Sequence, residues 1–349
     1  MTPPAEPAQR ERAGAPAPDS PPAHTPAGEQ PGRFPDFYIV GHGKCGTTAL
    51  YHMLLAHPQI HMPVKEPRYF APDRRTRYWR PASSMRKHPD TLAGYLALYA
   101  DAPAGKLVGE ASPTYLRSTL AARNIAAVRP DARIIAILRE PASLLRSVHL
   151  QALRNYDETE KDFAKALALE GERKRGKRIP LLSQFPEVLL YSELIRYTEQ
   201  LRRYHELFGR EQVLVLIYDD FRADNQGTVR QVLRFLGLDD SVAIPQVELE
   251  SLRHPRSVLL DQGARAATMI RRSRFGRGPA RVLDALTPRA LAHSERVAAA
   301  WRRLRFVESP PTDERLMLEL RRRFKGEVEA VSDCLGRDLV SLWGYDRLD

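Results

Sequence analysis

The stretch that decides the fold is Phe37-Tyr-Ile-Val-Gly-His-Gly-Lys-Cys-Gly-Thr-Thr48. Its first four residues are apolar, two of them aromatic and two β-branched, which predicts a short buried strand over 37–40. Glycines then break the strand into a tight loop, and residues 49–56 place apolar groups at helical spacing. A strand, a glycine loop and a helix in this order predict an anion site, because glycine lets backbone N–H groups approach the ligand and the helix start attracts negative charge.

The loop differs from that of nucleoside triphosphatases. In G-x-x-x-x-G-K-[ST] the lysine follows the last glycine and reaches the β- and γ-phosphates. Here Gly41 and Gly46 have that spacing, but Thr47 takes the lysine position and the only lysine, Lys44, lies inside the loop. The sequence therefore predicts a phosphate site of another kind.

A second informative stretch runs from Arg133 to Ser147. Its apolar β-forming residues, 133–138, predict a buried central strand of the kind found in parallel sheets covered on both faces. Pro141 fits the first turn of a helix. Arg139 would then lie at the carboxyl end of the strand, which is the edge where open α/β sheets bind ligands, and Ser147 two helical turns further on.

The composition favours one large α/β domain over 34–349, since 43% of the 349 residues are hydrophobic. Residues 1–33 are rich in proline and almost free of large apolar side chains, so they are expected to be a disordered tail. The sequence has no run of 18 apolar residues and no apolar signal-peptide core, which predicts a cytoplasmic protein without a transmembrane segment. The two cysteines, Cys45 and Cys334, suggest neither a disulfide framework nor a zinc site.

The formal net charge of +11 favours anionic partners. Nucleic acid is not expected among them, because the basic residues are spread along the chain. Local basic runs occur at 172–178 and 271–277, neither forms an interleaved aromatic stacking motif, and a solvated loop explains both runs.

The loop, with its internal Lys44 and the Thr47-Thr48 pair, resembles the 5′-phosphosulfate loop of sulfotransferases that use 3′-phosphoadenosine 5′-phosphosulfate (PAPS). The likeness is to bacterial members related to the heparan sulfate and Golgi-type domain, and it runs in order from about 36 to 345. It implies that PAPS is the co-substrate, that no metal is needed, and that Lys44 is catalytic. The cofactor-binding residues that it implies are Gly43, Lys44, Cys45, Gly46, Thr47, Thr48, Arg139, Ser147 and Arg256, with Arg139 and Ser147 at the 3′-phosphate.

The same resemblance assigns the general base. Val64-Lys-Glu-Pro-Arg-Tyr-Phe70 is similar to a Lys-Glu-Pro segment whose glutamate is the proposed base for the acceptor, so Glu66 is the predicted base. The alternative for Glu66 is a surface ion pair with Lys65 or Arg68. Glu110 is a second candidate base, and Ala111 stands where heparan-type enzymes carry a lysine.

The predicted architecture is a three-layer, P-loop-like α/β fold with a central parallel sheet of four or five strands flanked by helices. The strands are expected at 37–40, 59–62, 106–110, 133–138 and 212–217. Further helices are expected at 92–100, 187–208, 228–235, 315–336 and 339–343, with a charged connection over 161–180.

The predicted reaction is transfer of a sulfuryl group from PAPS to a hydroxyl or amine. The acceptor is open among a carbohydrate, a lipid and a secondary metabolite, as are the oligomeric state and a peripheral membrane contact by residues 251–310. A competing hypothesis is an ATP-dependent small-molecule kinase, which needs magnesium and finds acidic candidates only at Asp219 or Asp220. A third hypothesis is a module that uses the loop only to bind phosphate or nucleic acid.

Overall fold

The computed structural model describes residues 33–74, 89–181, 183, 185–245, 253–255, 306–308 and 311–348. A five-stranded parallel sheet forms the centre, in the order β2-β3-β1-β4-β5. Its strands are β1 (Phe37–Ile39), β2 (Ile60–His61), β3 (Leu107–Ala111), β4 (Arg133–Leu138) and β5 (Val213–Ile217). Each end lies within one residue of its predicted position, and the predicted fold class is confirmed.

The order of the strands fixes where ligands can bind. The first strand, β1, lies between β3 and β4, so the loop that leaves its carboxyl end is flanked by the ends of both neighbours. All three residues of β1 are fully buried, and five of the six residues of β4 are buried as well. The continuous apolar runs seen in the sequence are therefore interior strands of a sheet covered on both faces.

Helices cover both faces of the sheet. They are α1 (Thr47–Leu55), α2 (Leu92–Leu96), α3 (Ala121–Val128), α4 (Pro141–Asn155), α5 (Phe163–Ala168), α6 (Glu170–Lys174), α7 (Tyr191–Leu194), α8 (Tyr197–Phe208), α9 (Tyr218–Ala223), α10 (Asn225–Phe235), α11 (Glu314–Leu335) and α12 (Leu339–Leu342). Short 3₁₀ helices occupy Pro72–Arg74, Ala97–Tyr99, Pro113–Arg117 and Pro186–Leu189, and Arg253–Pro255 pairs antiparallel with Phe306–Glu308. No helix in the described ranges is both long and apolar enough to cross a membrane.

The long helix predicted over 187–208 is wrong, because that segment is a 3₁₀ helix followed by α7 and α8. Side chains from elsewhere in the chain satisfy the backbone groups that the breaks set free. The Ser192 N–H donates to both oxygens of the Glu170 carboxylate at 3.2 Å, and the Thr198 N–H donates to Glu327 Oε1 at 2.6 Å. Tertiary contacts thus override a local pattern that reads as one helix.

The predicted charged connection over 161–180 is also more ordered than expected, since it contains α5 and α6. A fully buried Glu158 pairs there with the buried Arg173, whose Nη2 lies 2.7 Å from Glu158 Oε2. The hydroxyl of Tyr191 donates to the same carboxylate oxygen at 3.3 Å. This ion pair holds the segment against the start of α7.

Candidate functional site

The backbone of the loop after β1 turns twice into the left-handed region. Lys44 has a φ of 71° and Gly46, the residue before α1, has a φ of 84°. A Cβ on Gly46 would lie 2.8 Å from a ring carbon of Phe221, and one on Gly41 would lie 2.7 Å from the backbone nitrogen of Ile137. Both glycines are therefore required by close packing, and at Gly46 also by the backbone angle.

The side chains of this loop divide into accessible and buried groups. Gly43 and Thr48 are exposed and Lys44 is partly buried, whereas Cys45 and Thr47 are buried. Burial raises the pKa of the Cys45 thiol to about 12, so the thiol is neutral at physiological pH. The first N–H groups of α1, at Thr47 and Thr48, have no partner within the helix itself. The loop therefore offers backbone donors and one lysine to an anion.

Arg139 meets this loop from the end of β4. Its Nη1 donates to the Lys44 carbonyl oxygen at 3.0 Å, and its guanidinium lies 4.5 Å from the centre of the Tyr218 ring. The carbonyl of Arg139 itself accepts from the Tyr197 hydroxyl at 2.8 Å. The structure thus brings together two positions that are 95 residues apart in sequence.

Ser147 lies on α4, and the sequence did not indicate that the same helix also contacts the loop lysine. Gln151, four residues later, accepts from Lys44 Nζ through its Oε1 at 3.3 Å. Because residues four apart share a face of a helix, Ser147 lies on the face of α4 that carries the Lys44 contact. Ser147 is buried, and within the described part of the chain its Oγ makes no hydrogen bond. A buried hydroxyl of this kind fits a ligand oxygen.

Glu66 lies between two cations. Lys65 Nζ is 2.6 Å from its Oε1, and Arg68 Nη2 is 2.5 Å from its Oε2. Burial raises the pKa of Glu66, but the charges of Arg68 and Lys65 outweigh burial and lower that pKa to about 2. The ion pair considered for Glu66 from the sequence is therefore present on both sides of the carboxylate.

The segment that carries Glu66 is fixed beside the end of β3. The Glu66 N–H donates to the Ala111 carbonyl oxygen at 2.8 Å, and the Arg68 N–H to Ser112 Oγ at 3.2 Å. Ser112 in turn donates its N–H to the Ile39 carbonyl oxygen in β1 at 3.0 Å. Glu66 and Arg68 both have left-handed backbones, with φ angles of 61° and 55°. A strained segment at the ligand-binding edge of the sheet is typical of functional sites.

Glu110, the second candidate base, is fully buried in β3. Its Oε2 accepts from the hydroxyls of Tyr95 at 2.5 Å and Tyr99 at 3.5 Å, while its Oε1 has no hydrogen-bond partner in the described residues. Burial raises the pKa of Glu110, and no salt bridge within the described residues offsets it. The structure therefore places Glu110 in an apolar, tyrosine-lined interior.

The acidic pair after β5 has structural partners. Asp220 receives Arg337 Nη1 at 2.5 Å and Nη2 at 2.8 Å, and Asp219 accepts from Trp343 Nε1 at 2.9 Å. Nowhere in the described ranges do three His, Cys, Asp or Glu side chains cluster as metal ligands would. Arg256, the last predicted cofactor contact, lies outside the described residues, as do the predicted tail over 1–32 and most of 251–310.

Sequence reasoning missed several residues that border the site. His42 in the loop is buried and its Nε2 lies 2.8 Å from Gln200 Oε1. Burial and the charge of Arg117 lower the pKa of His42 to about 3, so its imidazole is neutral. Because Gln200 Nε2 donates to the Glu193 carbonyl, its Oε1 faces His42 and Nε2 of the imidazole carries the proton. Among these missed residues, only Gln151 had a signal in the sequence, because it lies four residues after Ser147 and so shares a helix face with it.

Comparisons with known proteins find related sequences and one related fold. A family model described as the sulfotransferase family matches residues 35–241. Mouse heparan sulfate glucosamine 3-O-sulfotransferase 6 is 31% identical over 158 residues, which cover 42% of this chain and 42% of that protein. Mouse carbohydrate sulfotransferase 15 is 26% identical over 253 residues, 59% of this chain and 44% of that protein. The chain thus spans less than half the length of these curated relatives.

A solved structure shares the fold. It is the crystal structure of a sulfotransferase from Alicyclobacillus acidocaldarius, which matches with a TM-score of 0.61 and 24% sequence identity. The match covers 89% of this chain and 99% of that one.

Proposed function

Because the chain belongs to the sulfotransferase family, we propose that it transfers the sulfuryl group of PAPS to a hydroxyl or amine of a small-molecule or glycan acceptor. The observations that carry the PAPS assignment are the contact between Arg139 and the Lys44 carbonyl and the buried Oγ of Ser147, which makes no hydrogen bond to any described residue. The end of β4, the loop after β1 and α4 thereby offer a guanidinium, an ammonium and a hydroxyl to an anionic ligand.

The residues present fit PAPS. Two left-handed residues and the start of α1 form a loop suited to the 5′-phosphate, with Gly46, Thr47 and Thr48 as its donors. Arg139 and Ser147 would bind the 3′-phosphate. PAPS supplies the sulfuryl group when it is bound.

Lys44 neutralises charge on the leaving phosphate in this proposal. Its ammonium lies close to Gln151 on α4, which restrains it near the loop. A positive group held in place before the reaction stabilises charge that develops in the transition state without further reorganisation. Most of the rate acceleration is therefore assigned to Lys44 and the loop donors.

Glu66 takes the acceptor proton. With a pKa of about 2 it is a weak base, and a weak base suffices here because the attacking oxygen becomes strongly acidic as its bond to sulfur forms. Lys65 and Arg68 keep the carboxylate ionised at any physiological pH. The strained backbone at Glu66 and Arg68 fixes the direction of this group at the edge of the sheet.

The kinase hypothesis has weaker support than sulfuryl transfer. Asp219 and Asp220, its only acidic candidates, are bonded to Trp343 and Arg337. The lysine position of a nucleoside triphosphate loop is Thr47.

Calorimetry tests the proposal directly. We expect 3′-phosphoadenosine 5′-phosphate in EDTA to bind more tightly than magnesium-ATP. Ser147→Ala should lower the affinity for 3′-phosphoadenosine 5′-phosphate. Ser143→Ala, on the same helix, should leave that affinity unchanged. Tighter binding of magnesium-ATP would contradict the assignment. So would a Ser147→Ala protein that prefers the 3′-phosphorylated ligand over its analogue without the 3′-phosphate as strongly as the wild type does.

A further inference from the structure

The segment over residues 337–345 reaches back to the candidate cofactor site. It follows α11 and contains α12, and we call it the C-terminal segment. Three of its side chains bond to carboxylates that lie just after the carboxyl ends of β4 and β5, the edge of the sheet where the ligand is expected. The bonds join Tyr345 to Glu140, Trp343 to Asp219 and Arg337 to Asp220.

Glu140 links the C-terminal segment to both residues assigned to the 3′-phosphate. It follows Arg139 in the chain, and its carboxylate caps α4 by accepting two N–H groups of the first turn, at 3.1 and 2.7 Å. The hydroxyl of Tyr345 donates to Glu140 Oε1 at 2.7 Å, and both side chains are buried. Because the cap fixes the start of the helix that carries Ser147, Tyr345 holds the connection between Arg139 and that helix.

The helix α9 links the C-terminal segment to the same site by a second route. Its first residue, Tyr218, has its ring centre 4.5 Å from the Arg139 guanidinium. The Phe221 ring of α9 packs on the backbone of Gly46, where a Cβ would lie 2.8 Å from a ring carbon. One helix of six residues therefore touches both Arg139 and the loop assigned to the 5′-phosphate.

The C-terminal segment holds α9 through two aspartates. Arg337 donates to both oxygens of Asp220, at 2.5 and 2.8 Å, and Trp343 Nε1 donates to Asp219 Oδ2 at 2.9 Å. A bidentate arginine contact fixes orientation as well as distance. Because a helix of six residues is too short to be stable by itself, contacts of this kind decide where α9 lies.

We propose that the C-terminal segment positions Arg139 for the 3′-phosphate, with Tyr345 acting through Glu140, and Trp343 and Arg337 acting through α9. This inference rests on the proposed function. An arginine side chain has many rotamers, so the affinity that depends on its guanidinium falls when the groups that restrict it are loosened. Tyr345 isolates this effect, because its hydroxyl bonds to the residue next to Arg139.

Calorimetry with a matched pair of ligands measures the effect of Tyr345. Tyr345→Phe removes one hydroxyl and keeps the ring. It should lower the affinity for 3′-phosphoadenosine 5′-phosphate by roughly 5- to 20-fold, and that for adenosine 5′-phosphate by less than about twofold. Equal losses for the two ligands, or no loss for either, would overturn the inference.

Tyr204→Phe is the matched control for this substitution. Tyr204 on α8 is also fully buried, and its hydroxyl donates to the Tyr115 carbonyl oxygen at 2.8 Å. The same hydroxyl is removed in both variants, so a general cost of the change should appear in both. Tyr204→Phe should leave the affinities for the two ligands unchanged, and a selective loss of 3′-phosphate affinity in this control would overturn the inference.

A double-mutant cycle tests whether Tyr345 acts through Arg139. In the Arg139→Ala background, Tyr345→Phe should change the affinity for 3′-phosphoadenosine 5′-phosphate by less than about twofold, because the group that Tyr345 positions is gone. A tyrosine that only stabilises the fold would lower the affinity by the same factor in both backgrounds. That result would overturn the inference.

Hydrogen exchange of the wild type tests the same coupling from the other side and depends on no variant. Because coupling between sites is reciprocal, a ligand that relies on the C-terminal segment must also stabilise it. Relative to α3, exchange over 343–345 should be roughly fivefold slower with saturating 3′-phosphoadenosine 5′-phosphate than with saturating adenosine 5′-phosphate. Stabilisation of the whole protein would slow α3 equally, and an unchanged ratio would contradict the inference.

Binding to the wild type separates this inference from the proposed function. A wild type that binds adenosine 5′-phosphate as tightly as 3′-phosphoadenosine 5′-phosphate has no 3′-phosphate site and refutes the proposed function itself. A wild type that prefers the 3′-phosphorylated ligand, together with a Tyr345→Phe protein that keeps the full preference, overturns the inference alone.

Discussion

Glu66 and Glu110 are two carboxylates near the same strand end, and their surroundings are opposite. Glu66 is held between Lys65 and Arg68, which lower its pKa to about 2. Glu110 is buried among tyrosines without a salt bridge in the described ranges, and burial raises its pKa. Proximity to the ligand-binding edge therefore does not make a carboxylate a base. The groups that reach it from other elements decide whether it is ionised and accessible.

The largest expected effect separates these two carboxylates by rate. Glu66→Gln keeps the shape of the side chain but cannot accept a proton, so transfer to an ordinary alcohol should slow by roughly 10²–10⁴-fold. Cofactor affinity should barely change, and Glu110→Gln should keep a rate close to that of the wild type. Turnover of both variants with one alcohol acceptor is the measurement. A greater loss in Glu110→Gln would reverse the comparison and make Glu110 the base.

Lys44 supplies a reference that does not depend on the acceptor proton. Lys44→Ala should slow transfer by roughly 10²–10³-fold for every acceptor, because it removes charge neutralisation at the leaving phosphate. An acidic phenol that is already ionised needs no base, so the Glu66→Gln defect should shrink with it while the Lys44→Ala defect persists. Rates with matched alcohol and phenol acceptors give the answer, and Lys165→Ala, an exposed lysine on α5, is the control. If both variants lose the same rate with both acceptors, Glu66 and Lys44 do not have the separate roles of base and charge neutraliser.

Arg139 tests whether cofactor binding is separate from both carboxylates. Arg139→Ala should weaken the binding of 3′-phosphoadenosine 5′-phosphate by about 2–4 kcal/mol, since a charge-assisted contact at the 3′-phosphate is lost. The analogue without the 3′-phosphate should lose much less. Calorimetry with both ligands measures the difference, and Arg202→Ala on α8 is a surface control. Equal losses for the two ligands would show that Arg139 acts only through its bond to the Lys44 carbonyl.

The smallest expected effect is on how folding stability depends on pH, where Glu66 and Glu110 should contribute with opposite signs. The folded pKa of Glu66 lies below its ordinary value of 4.5, so its contribution is present above pH 4.5 and is lost as pH falls toward about 2. The folded pKa of Glu110 lies above 4.5, so burying it becomes more unfavourable as pH rises above that value. Melting temperatures measured against pH give the test. Glu66→Gln should reduce the loss of stability at acid pH, and Glu110→Gln should reduce the loss of stability at higher pH. Slopes of the same sign in the two variants would contradict the opposite environments.

The sequence predicted the sheet well because its strands are continuous apolar runs. In β4, five consecutive buried residues leave no alternative to a central strand. The loop could be located for a similar reason, since it depends on glycines and on backbone geometry that glycines specify. Residues 187–208 were misread because Glu170 and Glu327 cap the breaks from distant positions. No local pattern contains those contacts.

The candidate site was predictable at its cofactor end and less so at its acceptor end. Lys44 and Arg139 meet because both follow central parallel strands, which the order of apolar runs indicates. The neighbours of Glu110 come from α2 and from the 3₁₀ helix after it. Side-chain environments of this kind depend on packing between elements, which periodicity does not encode.

The buried thiol of Cys45 has a practical consequence for labelling. With a pKa of about 12, only about one thiol in 10⁴ is a thiolate at pH 8, and the thiolate is the form that attacks maleimides and oxidants. The chain has one other cysteine, Cys334 near the end of α11, which is partly accessible. A thiol-reactive dye should therefore attach to Cys334 in the unmodified protein and leave the phosphate-binding loop untouched. The native chain already carries a single-site attachment point for fluorescence measurements of ligand binding, without any cysteine being removed.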